Sequence, residues 1–302
     1  MAQVQANGIS IEYESYGAED APAILLIMGL GGQLTVWQKA LVDLLVAEGF
    51  RVVRFDNRDV GLTTKFDDAG VPDMGALVGA LLSGETPQTA YSLDDMAADA
   101  ARLLEALDIE SAHIVGASMG GMIAQLVAIN HPEKTLSLTS IMSHTGNKDL
   151  PQAKPEAMGV FMRPAPDAED VETIIANGVD TWKVLGSPGY PSSDEDLRAW
   201  VTRDYERSFY PVGVARQLAA IVAAPDRRDA LGRLNVPAVV VHGADDPLVP
   251  VEGGRDTAAS IPAAELRVIE GMAHDFPVAL ATTFADAILA AAARASAQAA
   301  AE

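Results

Sequence analysis

Short apolar runs and segments of helical period alternate along the first part of the chain. Residues 8–16 alternate apolar and polar side chains, a pattern typical of a half-exposed strand, and we expect an antiparallel edge strand there. Residues 23–28 form a continuous apolar run, as in a strand buried on both faces, and residues 50–55 return as another strand. Residues 35–49 between them place their apolar side chains on one face of a helix. This order predicts a mainly parallel sheet with helices on both faces.

The alternation resumes at Ser92, a good N-cap residue at the start of a predicted helix. That helix leads to a buried strand at residues 113–115, and another helix begins at Met119 and ends before Pro132. Residues 67–89 are predicted to be irregular. The remaining predicted elements are strands at residues 136–142, 236–241 and 266–269 and a final alanine-rich helix from about residue 278.

Residues 144–229 differ from the rest of the chain in their pattern of prolines and apolar residues. Prolines punctuate short amphipathic segments, and no strand-like run lies between them. The segment is also too rich in large aromatic side chains to stay unfolded. These are Trp182, Trp200, Tyr205, Phe209 and Tyr210. We therefore predict an α/β fold whose core comprises residues 1–143 and 230–302, with residues 144–229 inserted as a helical cap.

Composition and charge narrow the class of protein. With 302 residues, of which 49% are hydrophobic and 21% charged, the chain suits one elaborated globular domain or a domain with an insertion. A formal net charge of −21 disfavours nucleic acid and anionic membranes as partners. The absence of cysteine excludes disulfides, thiolate metal sites and a cysteine nucleophile.

Targeting signals are not evident in the sequence. Residues 1–20 contain no basic start followed by an apolar run, so no signal peptide is expected. Apolar runs such as residues 23–30 and 236–241 fall well short of the ~20 residues that a membrane span needs. We expect a cytoplasmic protein without a membrane span. A homo-oligomer is compatible with the sequence.

The strand at residues 113–115 runs directly into Gly116-Ala117-Ser118-Met119-Gly120, a Gly-x-Ser-x-Gly sequence. In a strand-turn-helix context this sequence exposes the serine as a nucleophile, and the two glycines let the strand and the helix approach closely. The Met119 N–H, at the start of the helix, would point at the atom that Ser118 attacks. A capped turn has the same sequence, however, so the other catalytic groups decide between the two interpretations.

A serine hydroxyl needs a base that takes its proton. His113 lies inside a strand, His131 beside a helix-ending proline and His242 at the end of a strand, so all three are interpreted as structural. His274 lies in the loop between the last strand and the last helix, where such a fold places reactive groups. We predict His274 as the base, with His144, just past a strand, as the alternative.

The base in turn needs a carboxylate that fixes its tautomer. Asp245 and Asp246 lie in the loop after the strand at residues 236–241, which gives the chain order Ser, Asp, His. The spacing alone does not separate the two aspartates. A metal site at this pair is disfavoured because no third ligand lies at a recognisable spacing.

The glycine-rich loop at residues 29–32 is the natural source of a second backbone N–H that would hold an oxyanion together with that of Met119. Such a loop can also cradle a phosphate. Neither a Walker lysine nor Gly-x-Gly-x-x-Gly completes that pattern here, so we discount phosphate binding.

The four loops together resemble those of α/β-hydrolase-fold serine hydrolases, over residues 8–143 and 234–290. The matching phrases are Asp56-x-Arg58-x-x-Gly61, Gly116-x-Ser118-Met119-Gly120-Gly121 and His242-Gly243-x-x-Asp246-x-x-Val249-Pro250. The last phrase implies that Asp246 is the partner of His274. Met28-Gly29 stands where many members have His-Gly. This departure removes no oxyanion donor, which by position in the family is the Leu30 N–H.

Met28-Gly29 together with Asn57-Arg58-Asp59 is similar to the branch that contains aclacinomycin methylesterase and related bacterial esterases. This resemblance implies a carboxylesterase-like enzyme that cleaves a small-molecule ester through an acyl-enzyme, with no cofactor and no metal. The apolar, aromatic cap favours an ester with a hydrophobic group.

Other activities stay open on the same three residues, namely those of a prolyl aminopeptidase, a perhydrolase or a C–C bond hydrolase. In a peptidase, acidic cap residues would bind the substrate ammonium, but the glycine loop lacks the proline expected in such enzymes. The acidic residues are Asp194, Glu195, Asp196, Asp204 and Glu206. Epoxide hydrolases and haloalkane dehalogenases use an aspartate where Ser118 stands, which argues against both. A non-catalytic ligand-binding protein would be favoured by an incomplete triad.

Overall fold

A computed structural model describes residues 2–161, 163 and 170–300. Its described residues form one sheet of eight strands in the order β1-β2-β4-β3-β5-β6-β7-β8. The strands are β1 (Ala2–Ala6), β2 (Ile9–Tyr16), β3 (Ala23–Ile27), β4 (Arg51–Phe55), β5 (Ala112–Ala117), β6 (Thr135–Ile141), β7 (Ala238–Gly243) and β8 (Glu265–Ile269). Neighbouring strands from β4 to β8 in this order are parallel, which confirms the predicted sheet.

The antiparallel end of the sheet differs from the prediction. β2 is not an edge strand, because β1 pairs with its outer side while β4 pairs with its inner side. Asn7 and Gly8, both with positive φ (50° and 77°), form the two-residue turn between β1 and β2. An Asn-Gly pair is the expected sequence for such a hairpin, so the signal for β1 was present in the sequence.

Helices connect the strands and form the segment before β7. They are α1 (Lys39–Ala47), α2 (Met74–Leu82), α3 (Leu93–Ala106), α4 (Met119–Asn130), α5 (Pro155–Phe161), α6 (Val171–Leu185), α7 (Asp194–Arg207), α8 (Pro211–Ala223), α9 (Arg228–Leu231), α10 (Glu252–Ser260) and α11 (Ala281–Ala299). The prediction that residues 67–89 are irregular is wrong at α2. Asp73 caps this helix by accepting the Ala76 N–H at 2.9 Å, which offsets the low helix propensity of its glycines.

The core lies on both faces of the parallel strands. Successive residues of β3 point to opposite faces, so that Leu25 belongs to one apolar cluster and Ile24 to the other. Side chains of α3 and α4 complete the first cluster, and those of α1 and α11 complete the second. This layering holds the carboxyl ends of β5, β7 and β8 at one edge of the sheet.

One stretch of the described residues, Val278–Ala299, is long and apolar enough to cross a membrane by length and composition. Phe284 and Ile288 of this stretch are fully buried in the cluster against the sheet. The helix therefore packs as a core helix of the fold.

Between β6 and β7, every regular element of the described residues is helical, from α5 to α9. Trp182 of α6 stacks on Trp200 of α7 with ring centroids 4.7 Å apart. Residues 162 and 164–169, within the predicted cap, lie outside the described residues. Helices α6, α7 and α8 all line the cavity above the carboxyl edge of the sheet.

Candidate active site

The turn between β5 and α4 holds Ser118 in an unusual backbone conformation. Its φ is 55° and its ψ is −122°, a region that costs roughly 1–3 kcal/mol and persists only where the surroundings enforce it. A Cβ atom on Gly116 would lie 1.9 Å from the Gly120 oxygen, and one on Gly120 would lie 2.1 Å from the Ile27 oxygen. Only glycine fits at either position, and the tight turn presents the Ser118 hydroxyl to the cavity.

Three side chains from distant parts of the chain form a continuous hydrogen-bonded row. The Ser118 Oγ lies 3.0 Å from the His274 Nε2, and the His274 Nδ1 lies 2.7 Å from the Asp246 Oδ2. Because a carboxylate only accepts, the Nδ1 carries the proton that it donates to Asp246. In neutral His274 the Nε2 is then free to accept the Ser118 proton.

Asp246 is 4% exposed and keeps its charge through its neighbours. Its Oδ1 accepts the Leu248 and Val249 N–H groups at 2.9 and 2.8 Å. Burial alone would raise the pKa of the Asp246 carboxyl. The charge of protonated His274 and hydrogen bonding with His242 and His274 outweigh burial and hold this pKa well below its ordinary value.

Asp245 does not reach the imidazole. Its Oδ2 accepts the Gly271 N–H at 3.0 Å, and its own N–H donates to the Met272 carbonyl at 3.0 Å. Asp245 thus joins the loop after β7 to the loop after β8. These contacts hold the two loops that carry Asp246 and His274 against each other.

The other histidines have different partners. His113 Nδ1 lies 2.9 Å from the Ser137 hydroxyl, and His242 Nε2 donates to the Val249 carbonyl at 2.7 Å. His144, the alternative base, lines the cavity, but its Nδ1 accepts the Gly146 N–H at 2.9 Å.

Burial lowers the pKa of both His113 and His144 to about 4. For His144 the nearby Arg227 charge adds to the effect of burial. Both imidazoles are therefore neutral at pH 7.

The loop after β3 lies against Ser118. A Cβ atom on Gly29 would lie 3.0 Å from the Ser118 Cβ. Within the described chain, neither the Leu30 N–H nor the Met119 N–H forms a hydrogen bond with a protein acceptor. The Asn57 side chain donates to the Met28 carbonyl at 2.7 Å and fixes the start of this loop. Two unused donors are thus available next to Ser118.

The C-terminal end of α6 holds the His274 loop from the cap side. The His274 N–H donates to the Leu185 carbonyl at 2.9 Å, and the Ala273 N–H donates to the Ser187 Oγ at 2.8 Å. The Ser187 hydroxyl in turn donates to the buried Asp275 carboxylate. Burial raises the pKa of Asp275. No local sequence pattern points to Ser187, because its partners lie more than 80 positions away.

The acidic cap residues considered for ammonium binding lie mainly at the surface. Asp194, Glu195 and Asp196 form the exposed first turn of α7, and Glu206 is also exposed. Asp204 lines the cavity, but its Oδ1 accepts hydrogen bonds from Thr35 and Arg203. Within the described residues, no three His, Asp or Glu side chains are grouped closely enough to hold a metal ion.

Residues 22–278 match the family described as "alpha/beta hydrolase fold". The chain belongs to this family. The α/β-hydrolase is 30% identical to rhodomycin D methylesterase DnrP from Streptomyces peucetius, with 90% of each chain covered. It is 28% identical to rhodomycin D methylesterase DauP from Streptomyces sp., again over 90% of each chain. These relatives confirm the resemblance to the methylesterase branch and to carboxylesterase-like enzymes.

Solved structures share the fold of this α/β-hydrolase. A meta-cleavage product hydrolase from Pseudomonas fluorescens superposes with a TM-score of 0.74 over 98% of each chain, at 18% sequence identity. A hydrolase from Pseudomonas aeruginosa gives a TM-score of 0.69 at 24% identity, covering 96% of this chain and 97% of its own. Both comparisons confirm the predicted fold class.

Proposed function

We propose that the protein hydrolyses a carboxylic ester of a small molecule through an acyl-enzyme on Ser118. The observation that carries the proposal is the row of Ser118, His274 and Asp246, with two unused backbone donors near Ser118. A nucleophile, a base, a carboxylate that orients the base and a site for negative charge are the groups that acyl transfer needs.

In the first step, the His274 Nε2 takes the Ser118 proton while the Ser118 oxygen bonds to the ester carbonyl carbon. The carbonyl oxygen becomes an oxyanion that accepts from the Leu30 and Met119 N–H groups. The ester C–O bond then breaks, and His274 returns the proton to the departing alcohol oxygen. The products of this step are the free alcohol and the acyl group bound to Ser118.

In the second step, His274 takes a proton from a water molecule while the water oxygen attacks the acyl carbon. A second oxyanion forms at the same two N–H groups and collapses. The Ser118 oxygen leaves with the proton held by His274, which frees the carboxylic acid. Both steps conserve the charge of Asp246, whose lowered pKa keeps it ionised beside protonated His274.

Two features support an ester with a hydrophobic group. The relatives DnrP and DauP are named methylesterases. The cavity above Ser118 has a volume of about 1060 Å³ and is lined by aromatic and aliphatic side chains of the cap, including Trp182, Tyr205 and Phe209. A cavity of this size and character suits a large, mainly apolar ligand.

We also propose the division into a core of residues 1–143 and 230–302 and a cap of residues 144–229, with the cap choosing the substrate. The helices between β6 and β7 and their contribution to the cavity support this division.

We further propose that the enzyme acts in the cytoplasm. The burial of α11 as a core helix supports a protein that does not use this helix as an anchor.

The test uses Ser118→Ala with p-nitrophenyl esters of increasing chain length. We expect kcat to fall by ~10⁴-fold or more, because the nucleophile is removed while the fold is retained. Ser140→Ala is the matched control, since its buried hydroxyl has no hydrogen-bond partner among the residues that the structure describes and its loss leaves the reacting groups in place. A fluorophosphonate probe should label Ser118 in the wild type and in the control. Full esterase activity in Ser118→Ala, or absence of labelling in the wild type, would contradict the proposal.

A further inference from the structure

A cap helix packs directly on the glycine loop that carries Leu30. Gly31 has a φ of 66°, and a Cβ atom there would lie 3.0 Å from a methyl group of Val214 in α8. At the start of the same helix, a Cβ atom on Gly213 would lie 2.1 Å from the Asp59 carbonyl oxygen. α8 therefore approaches the backbone of two core loops as closely as glycine permits.

Gln217 of α8 bridges these two loops. Its side chain is completely buried. Its Oε1 accepts the Gly31 N–H at 2.8 Å, and its Nε2 donates to the Arg58 carbonyl at 2.8 Å. Both ends of the amide are thus used, one on the loop after β3 and the other on the loop after β4.

The Arg58 end of this bridge is a fixed point. The Arg58 guanidinium donates to both oxygens of Asp99 at 2.6 and 2.7 Å, and both side chains are buried. Such a bidentate pair defines the position of Arg58 in two directions. Through the two ends of its amide, Gln217 links this fixed residue to the Gly31 N–H.

The Gly31 N–H belongs to the peptide group that follows Leu30. Because sterics limit the φ and ψ of Leu30, fixing that peptide restricts the orientation of the preceding one, whose N–H is the Leu30 donor. Asn57 holds the other side through the Met28 carbonyl. The Leu30 N–H is therefore held between a core side chain and a cap side chain.

We propose that Gln217 is a positioning residue that aims the Leu30 N–H at the oxyanion, so that docking of the cap helix completes the oxyanion site. This inference rests on the proposed ester hydrolysis. Gln217 touches no reacting atom and acts through Gly31. Its effect belongs to the transition state, where the negative charge on the carbonyl oxygen develops.

The test compares Gln217→Met, which has a similar length but cannot form either hydrogen bond, with the wild type. We expect kcat on a p-nitrophenyl ester to fall by about 10–100-fold, because a small displacement of an oxyanion donor is costly. KM should change by less than about threefold, since the ground state needs this donor less. Gln217→Glu keeps the acceptor for Gly31 and should lose less activity than Gln217→Met.

A transition-state analogue separates positioning from general loosening of the fold. A trifluoromethyl ketone binds Ser118 as a hemiketal anion, with its oxygen at the oxyanion position. Its inhibition constant should rise in Gln217→Met by the same factor as kcat/KM falls. The corresponding secondary alcohol, which cannot form the adduct, should bind with unchanged affinity.

Thr35→Val is the matched control. It removes another hydrogen bond between core and cap, from the Thr35 hydroxyl to Asp204 at 2.9 Å, without touching the glycine loop. Its kcat should stay within about twofold of the wild type.

The proposal is overturned if Gln217→Met keeps wild-type kcat, or if kcat falls while inhibition by the ketone is unchanged. If Gln217→Met shows no cooperative unfolding transition, the comparison is made in Gln217→Glu. The fall in its kcat/KM should then equal the rise in the inhibition constant of the ketone, and unequal factors overturn the proposal. Failure of the ester mechanism itself would be seen separately, as activity in Ser118→Ala.

Discussion

The two sides of the cavity are held by different kinds of interaction. On the core side, Ser118, Asp246 and His274 follow β5, β7 and β8, and every residue of β5 and β7 is buried. On the cap side, α8 packs on the core through Val214 and Ala220, and α7 and α8 also meet the core through polar side chains. These contacts are Arg216 with Asp59, Arg207 with Asp56, Gln33 with the end of α7, and Gln217 with Gly31.

This difference fits the proposed division, in which the core carries the reacting groups and the cap chooses the substrate. The reacting groups take their positions from the register of parallel strands, which many backbone hydrogen bonds and two apolar clusters fix. The polar part of the cap attachment consists of a few long-range hydrogen bonds, each of which depends on one side chain. A change on the core side should therefore act on the chemical step directly. A change at a cap contact should affect stability and docking, and at Gln217 it should also reach the chemical step through Gly31.

The largest effect is expected on the core side, from Asp246→Asn. The amide cannot hold the His274 tautomer, so kcat should fall by ~10⁴-fold while the protein stays folded. Asp245→Asn is the matched control, since its amide oxygen can still accept the Gly271 N–H. Its kcat should stay within about fivefold of the wild type. Steady-state kinetics on one p-nitrophenyl ester checks both, and the opposite order would identify Asp245 as the partner of His274.

The next effect is expected at the cap contact between Arg216 and Asp59. Arg216 Nε lies 2.7 Å from the Asp59 Oδ2, and both side chains are fully buried. Arg216→Leu leaves the Asp59 carboxylate buried without its cation, which should lower the free energy of unfolding by about 3–5 kcal/mol. Urea unfolding of the purified variant measures this loss.

A double variant tests whether the loss comes from the pair. Asp59→Asn combined with Arg216→Leu should lose less unfolding free energy than the two single changes added together. Arg198→Ala is the control, because its ion pair with Glu172 is similarly short, at 2.6 Å, but is exposed in the same cap. It should leave the urea midpoint almost unchanged. Additive single losses would contradict the coupling between cap and core.

The core side could be predicted from the sequence because its signals are local. Gly116 and Gly120 flank Ser118 in a strand-turn-helix context, and Asp246 and His274 each follow an apolar strand. The rule that parallel strands place their carboxyl ends at one edge then brings the three loops together. The choice between Asp245 and Asp246 needed the family phrase, and the structure gives its reason in the Asp245 contact with Gly271.

The cap contacts could not be predicted in this way. Gln217 and Gly31 are 186 positions apart, and Ser187 and Asp275 are 88 positions apart. A buried glutamine in an amphipathic helix has the same sequence pattern as an exposed one. Its partners depend on the pose of α8, which no local pattern determines. α2 was missed for another reason, because its glycines lower the helix propensity that sequence analysis relies on.

The smallest effect concerns acid stability, and it compares the two sides through one histidine each. His113 in β5 and His144 after β6 both have a pKa lowered by burial to about 4, against 6.5 in the unfolded chain. Between these two values only the unfolded chain binds the proton, so the free energy of unfolding falls as the pH falls through this window.

For His113 the expected loss between pH 7 and pH 5 is about 2 kcal/mol. His113→Asn, whose amide can replace the Nδ1 contact with Ser137, should remove this part of the pH dependence whatever its effect at pH 7. His144→Asn should remove a similar part on the cap side. Urea unfolding at several pH values between 7 and 4 measures both slopes. If only the His144 variant flattens the plot of unfolding free energy against pH, protonation weakens the cap attachment and not the core. That result would contradict the expected contribution of His113.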